Sequence, residues 1–149
     1  MRIPCSVRKF IRGRHFPFVT FLISAPGITG RIDALIDTGS PFTALSPRDI
    51  MSSRLPIKAM QHGETVSLAG HHFFLNPIRN ACLYFMTDED KALKVEPSSL
   101  GALVPTKTDE KTLREIEIIP SIVGNDFLED QGFSFTINPG ERVAFLEKL

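Results

Sequence analysis

A mainly β domain with one or two short helices is the fold class this sequence predicts. Three observations carry that expectation: short apolar stretches recur along the chain, Gly, Pro and Asn punctuate them, and sustained apolar spacing of the helical period is almost absent. With 149 residues, 42% of them hydrophobic and 23% charged, the chain has material for one ordinary core and no room for a second folded domain.

The amino-terminal stretch stands apart. Arg2, Arg8, Lys9, Arg12 and Arg14 all precede the first acidic residue, Asp33, so residues 1–15 are expected as a basic, solvated and partly frayed arm and residues 16–149 as the single domain. Over the whole chain 17 basic residues balance 17 acidic ones, which leaves no global field to draw nucleic acid or an anionic membrane. The basic stretch and residues 16–25 together imitate a secretory leader, but Pro17, Thr20 and Ser24 interrupt it, and its removal would take away a strand that the following residues need. No apolar run is long enough to cross a bilayer. Cys5 and Cys82 make neither a metal-ligand spacing nor a disulfide framework, so a reducing cytoplasm is expected, with no metal and no cofactor.

Residues 18–24 read as the first strand of the domain, residues 25–30 as a Gly- and Pro-rich turn, and residues 31–36 as the returning strand, with Ile32, Ala34 and Ile36 on one face. This hairpin delivers the chain to Asp37. After Leu45 comes a helix start, with Ser46 as N-cap, Pro47 in the first helical position and Asp49 in the first turn; Pro56 keeps it short. A second hairpin pairs residues 65–68 with 73–75 around a mobile tip at Ala69, Gly70, His71 and His72. A third pairs residues 81–86 with 92–96 around a charged turn.

Residues 97–117 mix Leu100, Leu103 and Val104 with Pro105 and a run of charges, and are expected as a long loop with one helical turn. Residues 118–123 form a buried strand, and residues 125–130 a short helix closed by Gly132. Phe133, Phe135 and Ile137 then alternate with Ser134 and Thr136, and Asn138-Pro139-Gly140 turns the chain into a last strand over residues 142–146. This terminal hairpin, with its free edge, is a candidate surface for pairing two copies.

Asp37-Thr38-Gly39-Ser40 carries the chemistry. Cleaving an amide at moderate pH needs a base to activate water and an acid to protonate the leaving nitrogen, and a carboxyl pair sharing one proton does both. The sequence holds one half of such a pair. Leu35 and Ile36 limit solvation of the carboxylate, Thr38 and Ser40 offer hydroxyls to orient it, and Gly39 permits a tight turn with an exposed N–H. An isolated Asp-Thr-Gly triplet is a common turn; the hairpin before it and the capped helix after it set this one apart.

The stretch Leu35-Ile36-Asp37-Thr38-Gly39-Ser40-x-x-Thr43-x-Leu45 resembles the active-site loop of retropepsin-like aspartic proteases. Later, Ile122-Val123-Gly124-Asn125-Asp126-Phe127-Leu128 resembles their second signature, an apolar pair and a Gly opening a short helix. The resemblance implies a closed acid-protease barrel and an aspartic endopeptidase with Asp37 as its catalytic residue. It implies that Thr38 reaches across a two-fold axis to its mate, that Ser40 bonds the outer oxygen of the carboxylate, and that Gly39 and Thr43 support the loop. Ala69, Gly70 and His71 would belong to a flap over the substrate, while Ile122 and Val123 would line the cleft and Gly124 would let two backbones pass closely. Because the chain holds a single Asp-Thr-Gly, catalysis implies a homodimer with a polypeptide substrate bound as an added strand.

Departures from the family pattern are visible too. Viral members often place an acidic residue two positions after the motif Gly and an Arg after the helix Gly, where this chain has Pro41 and Asn125. His71 and His72, adjacent in a hairpin, point to opposite faces, which disfavours a metal pair and leaves surface or substrate-contact roles. Cys82 in its apolar strand reads as an inert thiol. Beside the protease stand two alternatives: a non-catalytic module for peptide binding or dimerisation, and a self-processing protein whose basic amino terminus is removed.

Overall fold

The structure is a computed structural model that describes residues 1–52 and 63–148. Among the described residues twelve strands form one hydrogen-bonded system. β1 (Arg2–Lys9), β2 (His15–Ala25) and β3 (Ile28–Ile36) lead to the short β4 (Ala44–Leu45) and the helix α1 (Pro47–Ser52). β5 (Glu64–Leu68) with β6 (His71–Pro77), and β7 (Cys82–Met86) with β8 (Ala92–Val95), are the second and third hairpins, followed by β9 (Gly101–Pro105) and α2 (Glu110–Ile116). β10 (Ser121–Val123), α3 (Asn125–Gln131), β11 (Phe133–Asn138) and β12 (Val143–Lys148) complete the chain. The sheet path is β11-β12-β1-β2-β3-β10-β4-β9-β6-β5, with β7 and β8 branching from β2.

The expected hairpin into Asp37 is present. β2 and β3 pair from Ala25↔Ile28 to Phe18↔Leu35 across a turn at Pro26-Gly27, where Gly27 has φ 79, a left-handed conformation that suits glycine. β2 is long enough, at 11 residues, to pair with β1 near its start and with β7 through Leu22, Ile23 and Ser24 near its end. Inward-facing residues of these strands build the main core, where Phe21 lies 5.3 Å from Phe85, Phe85 lies 5.9 Å from Phe127, and Phe127 stacks on Phe133 at 5.7 Å between ring centroids. Ser46 begins α1 as expected, its Oγ accepting from Asp49 N at 3.3 Å. Pro56, expected to end that helix, lies outside the described residues.

Three expectations are corrected. Residues 2–9 are a strand rather than a frayed arm: β1 pairs with β12 from Arg2↔Glu147 to Cys5↔Ala144 and with β2 from Ser6↔Phe18 to Lys9↔His15. The physical reason is alternation. Ile3, Cys5 and Val7 turn inward while the basic side chains stay outside, where Arg2 pairs with Glu147 at 3.0 Å and lies over Phe145, and Arg8 lies over Phe18. The stretch 97–117 is likewise structured, as β9 and α2. β9 is sandwiched between β4 and β6, so Gly101, Ala102 and Leu103 are all buried and leave no period-two signal; α2 starts at Asp109, whose side chain accepts from Thr112 N. The described residues accordingly contain three short helices where one or two were expected.

Two further facts bear on the expected setting. Both cysteines are free, and no helix among the described residues is long and apolar enough to cross a membrane. Burial pushes the Cys5 thiol up to about 12, only partly offset by a hydrogen bond from the Leu146 backbone. At pH 8 its thiolate is therefore on the order of one part in ten thousand. Alkylation of the folded protein at pH 8, followed by peptide mass analysis, is expected to leave Cys5 unmodified until denaturant is added; labelling of Cys5 in native buffer at the rate of an open thiol would contradict the burial of β1.

Candidate active site

Asp37 follows Ile36, the last residue of β3. β10 lies parallel to β3, with Ser121↔Ala34, Ile122↔Leu35 and Val123↔Ile36, and the ladder is extended by Asp37 N donating to Val123 O at 3.0 Å. The chain then turns tightly. Ser40 N donates to Asp37 O at 3.0 Å, and Gly39 N donates to the Asp37 carboxylate at Oδ1, also at 3.0 Å. A Cβ at Gly39 would stand 3.3 Å from that oxygen, so glycine keeps the approach open. Ile36 is buried beneath, Asp37 is half-buried, and Thr38 and Gly39 are exposed. The result is a carboxylate held by the backbone on an apolar base, with one side toward solvent.

The second signature clamps this loop. Asn125 N donates to Ser40 O at 2.8 Å, and Gly124 N donates to Thr43 Oγ1 at 2.9 Å. A Cβ at Gly124 would overlap Phe42 O and come within 2.7 Å of Ser40 O, so no other residue fits without moving backbone. Thr43 Oγ1 in turn donates a hydrogen bond to Asp126 Oδ1 at 2.7 Å, and Ser99 Oγ donates to Asp126 Oδ2 at 3.0 Å. Where an acid–arginine pair was missing at Pro41 and Asn125, the chain thus uses a carboxylate satisfied by two hydroxyls. Asp126 also sits in the first turn of α3, where negative charge is favoured. A second polar link joins α1 to β10: Ser121 Oγ accepts from Ser46 N at 2.9 Å and donates to Asp49 Oδ2.

Sequence reasoning placed Asp37, Gly39, Thr43 and Gly124 together, and so does the structure. It missed Asp126 and Ser99; the pairing of a buried threonine in one signature with an Asp just inside the helix of the other was the available signal. Ser40 needs correction. Its hydroxyl does not reach the Asp37 carboxylate but donates to Phe42 O at 2.9 Å and accepts from Phe42 N at 3.3 Å, which braces the loop from behind. Thr38 has no hydrogen-bond partner among the described residues. Ile122 and Val123, 3% and 0% exposed, back the loop from within the sheet instead of presenting a cleft wall.

The hairpin expected as a flap is β5–β6. Its tip is confined to Ala69 and Gly70, with φ 52 and 78, and Leu68 pairs with His71 on either side. His71 and His72 therefore lie in β6, on opposite faces: the His71 ring meets Glu115 and the His72 ring meets Ser67 Oγ at 2.9 Å. Among the described residues no group of three or more His, Cys, Asp or Glu is arranged to hold a metal. A groove of about 680 Å³ runs beside Pro41, Phe42 and Thr43 toward Leu100 and Asp126, and Asp37 is not part of its lining.

No family model matches the chain, and no curated protein matches it in sequence. Among solved structures it is similar to a retropepsin-like aspartic protease from Rickettsia conorii, with a TM-score of 0.55 and 16% identity over 99% of this chain and 91% of that one. It is also similar to EIAV protease complexed with the inhibitor HBY-793, with a TM-score of 0.49 and 14% identity over 86% of this chain and 98% of that one. The likeness to the Rickettsia structure shows that the fold is retropepsin-like, as the two sequence motifs implied.

The clamp yields a stability test. Thr43→Val keeps the shape of the side chain but strands Gly124 N and removes a donor from Asp126, which is expected to cost about 1–3 kcal/mol. Urea unfolding should show that loss for Thr43→Val and only a small one for Thr43→Ser; equal midpoints for valine and wild type would mean that the hydroxyl does not join the two segments.

Proposed function

We propose that the chain is an aspartic endopeptidase that becomes catalytic as a homodimer, in which Asp37 and its two-fold mate share one proton and activate a water molecule. The observation that carries this reading is the Asp37 carboxylate, fixed by Gly39 N at the end of β3 and clamped by the 122–126 segment, on a retropepsin-like fold.

In this reading two carboxyl groups about 3 Å apart cannot both be ionised, so one holds a proton while the other does not. The ionised carboxylate removes a proton from water as the oxygen attacks the scissile carbonyl carbon. The protonated one donates a hydrogen bond to the carbonyl oxygen, where negative charge builds, and the proton taken from water goes on to the leaving nitrogen as the C–N bond breaks. Gly39 N holds the carboxylate at a fixed angle, and the exposed Thr38 hydroxyl is available to the facing loop. Ser40 acts behind the loop, through Phe42. The substrate lies extended beneath the β5–β6 hairpin, with Ala69, Gly70 and His71 at its cover and its backbone paired as a strand. Two free thiols suit a reducing, cytoplasmic setting.

A library of unstructured peptides is expected to be cut by wild type, with cutting reduced by at least about a thousandfold in Asp37→Ala and Asp37→Asn, since each removes the acid–base couple. Equal cleavage by wild type and Asp37→Ala, read by mass spectrometry, would remove the proposal. Activity per chain is also expected to fall as the protein is diluted through its dimer dissociation range; flat activity in a sample that sediments as monomer would contradict the shared site.

A further inference from the structure

We propose that the β5–β6 hairpin and α2 form one covering element, in which Glu115 is a positioning residue that holds the hairpin tip through its contact with His71. Only the kinetic part of the test below rests on the protease reading.

A hairpin acting as an independent flap needs its outer half free of other contacts. This one has three ties to the segment between β9 and β10. β6 pairs with β9 from Pro77↔Gly101 as far as Phe73↔Pro105, and Thr106 continues the ladder by donating both N and Oγ1 to His72 O, at 3.3 and 3.1 Å. That pairing stops two residues from the turn. Beneath it, Phe73 is fully buried in a second core cluster with Leu103, Ile116 of α2 and Ile119, against which Val66, Leu68 and Leu75 also pack. At the tip, His71 Nε2 lies 3.4 Å from Glu115 Oε2. Hairpin and helix therefore share backbone pairing, a core and a side-chain tie.

The three ties differ in what breaking them would do. Ladder and cluster hold the hairpin through buried and backbone contacts, whereas the His71–Glu115 contact is a polar side-chain tie beside the turn at Ala69 and Gly70. Between tip and helix remains a space of about 250 Å³, bordered by Gly70, Thr106 and Lys111 among others, into which the tip can settle or from which it can lift. Lys107 and Lys111 border the same space, and both His71 and Glu115 keep part of their side chains open to solvent, so the tie is a weak one.

Amide hydrogen exchange of the full chain tests this directly. Glu115→Gln keeps the helix and removes the charge, and exchange at residues 69–72 is expected to rise about fivefold while β2 and β3 are unchanged. His71→Lys should retain protection, and the exchanged pair His71→Glu with Glu115→Lys should restore it to within about twofold. In peptide cleavage, Glu115→Gln should raise KM by a larger factor than it lowers kcat. Tip exchange in Glu115→Gln equal to wild type, or failure of the exchanged pair to restore it, would overturn the inference whether or not peptides are cut. An inactive wild type whose tip exchange follows the pattern above would remove the protease reading and leave the covering element standing.

Discussion

The close crossing of the Asp37 loop with the 122–126 segment is the constraint on which the rest of the molecule depends. Two stretches more than 80 residues apart in sequence meet at backbone distance, joined by Asp37 N to Val123 O, Asn125 N to Ser40 O and Gly124 N to Thr43 Oγ1. β10 must therefore be inserted between β3 and β4, parallel to one and antiparallel to the other, and only glycine at 124 lets it come so near. Everything between residues 46 and 120 has to leave this crossing and return to it. The hairpins β5–β6 and β7–β8 occupy that excursion, and β9 brings the chain back beside β4.

Features legible in the sequence were those where local chemistry and the long-range fold demand the same thing. Alternation with a Gly-containing turn produced the β2–β3 hairpin, Ser46-Pro47 produced the start of α1, and Gly132 in the left-handed conformation closed α3, each a signal complete within a few residues. The features that escaped depend on neighbours far away in sequence. β9 lacks alternation because strands from two other parts of the chain cover it, and β1 looked like part of a solvated arm because the five basic residues from Arg2 to Arg14 outnumber the three of β1 that turn inward. Charge density was read as disorder where it marks only the outer face of a strand.

At the site the same division holds. The Asp37 carboxylate, the turn glycine and the threonine that joins the two segments were identifiable by residue type and spacing. The direction of a hydroxyl was not. Ser40 Oγ donates to Phe42 O, a backbone acceptor two residues on, and a serine hydroxyl can turn to nearby backbone as readily as to a neighbouring side chain.

The replacement of an acid–arginine pair by Thr43, Asp126 and Ser99 has an electrostatic consequence. A guanidinium close to the loop would favour the ionised form of any neighbouring carboxylate and so work against a proton held between two of them. Here the charge of Asp126 is met by hydroxyl donors and by the first turn of α3, and the Asp37 carboxylate accepts from a neutral backbone N–H. The loop is thus braced, among the described residues, by hydroxyl and backbone donors and no ion pair. In the dimer proposed above, a brace of this kind would add no cation to favour the ionised form of either carboxyl group.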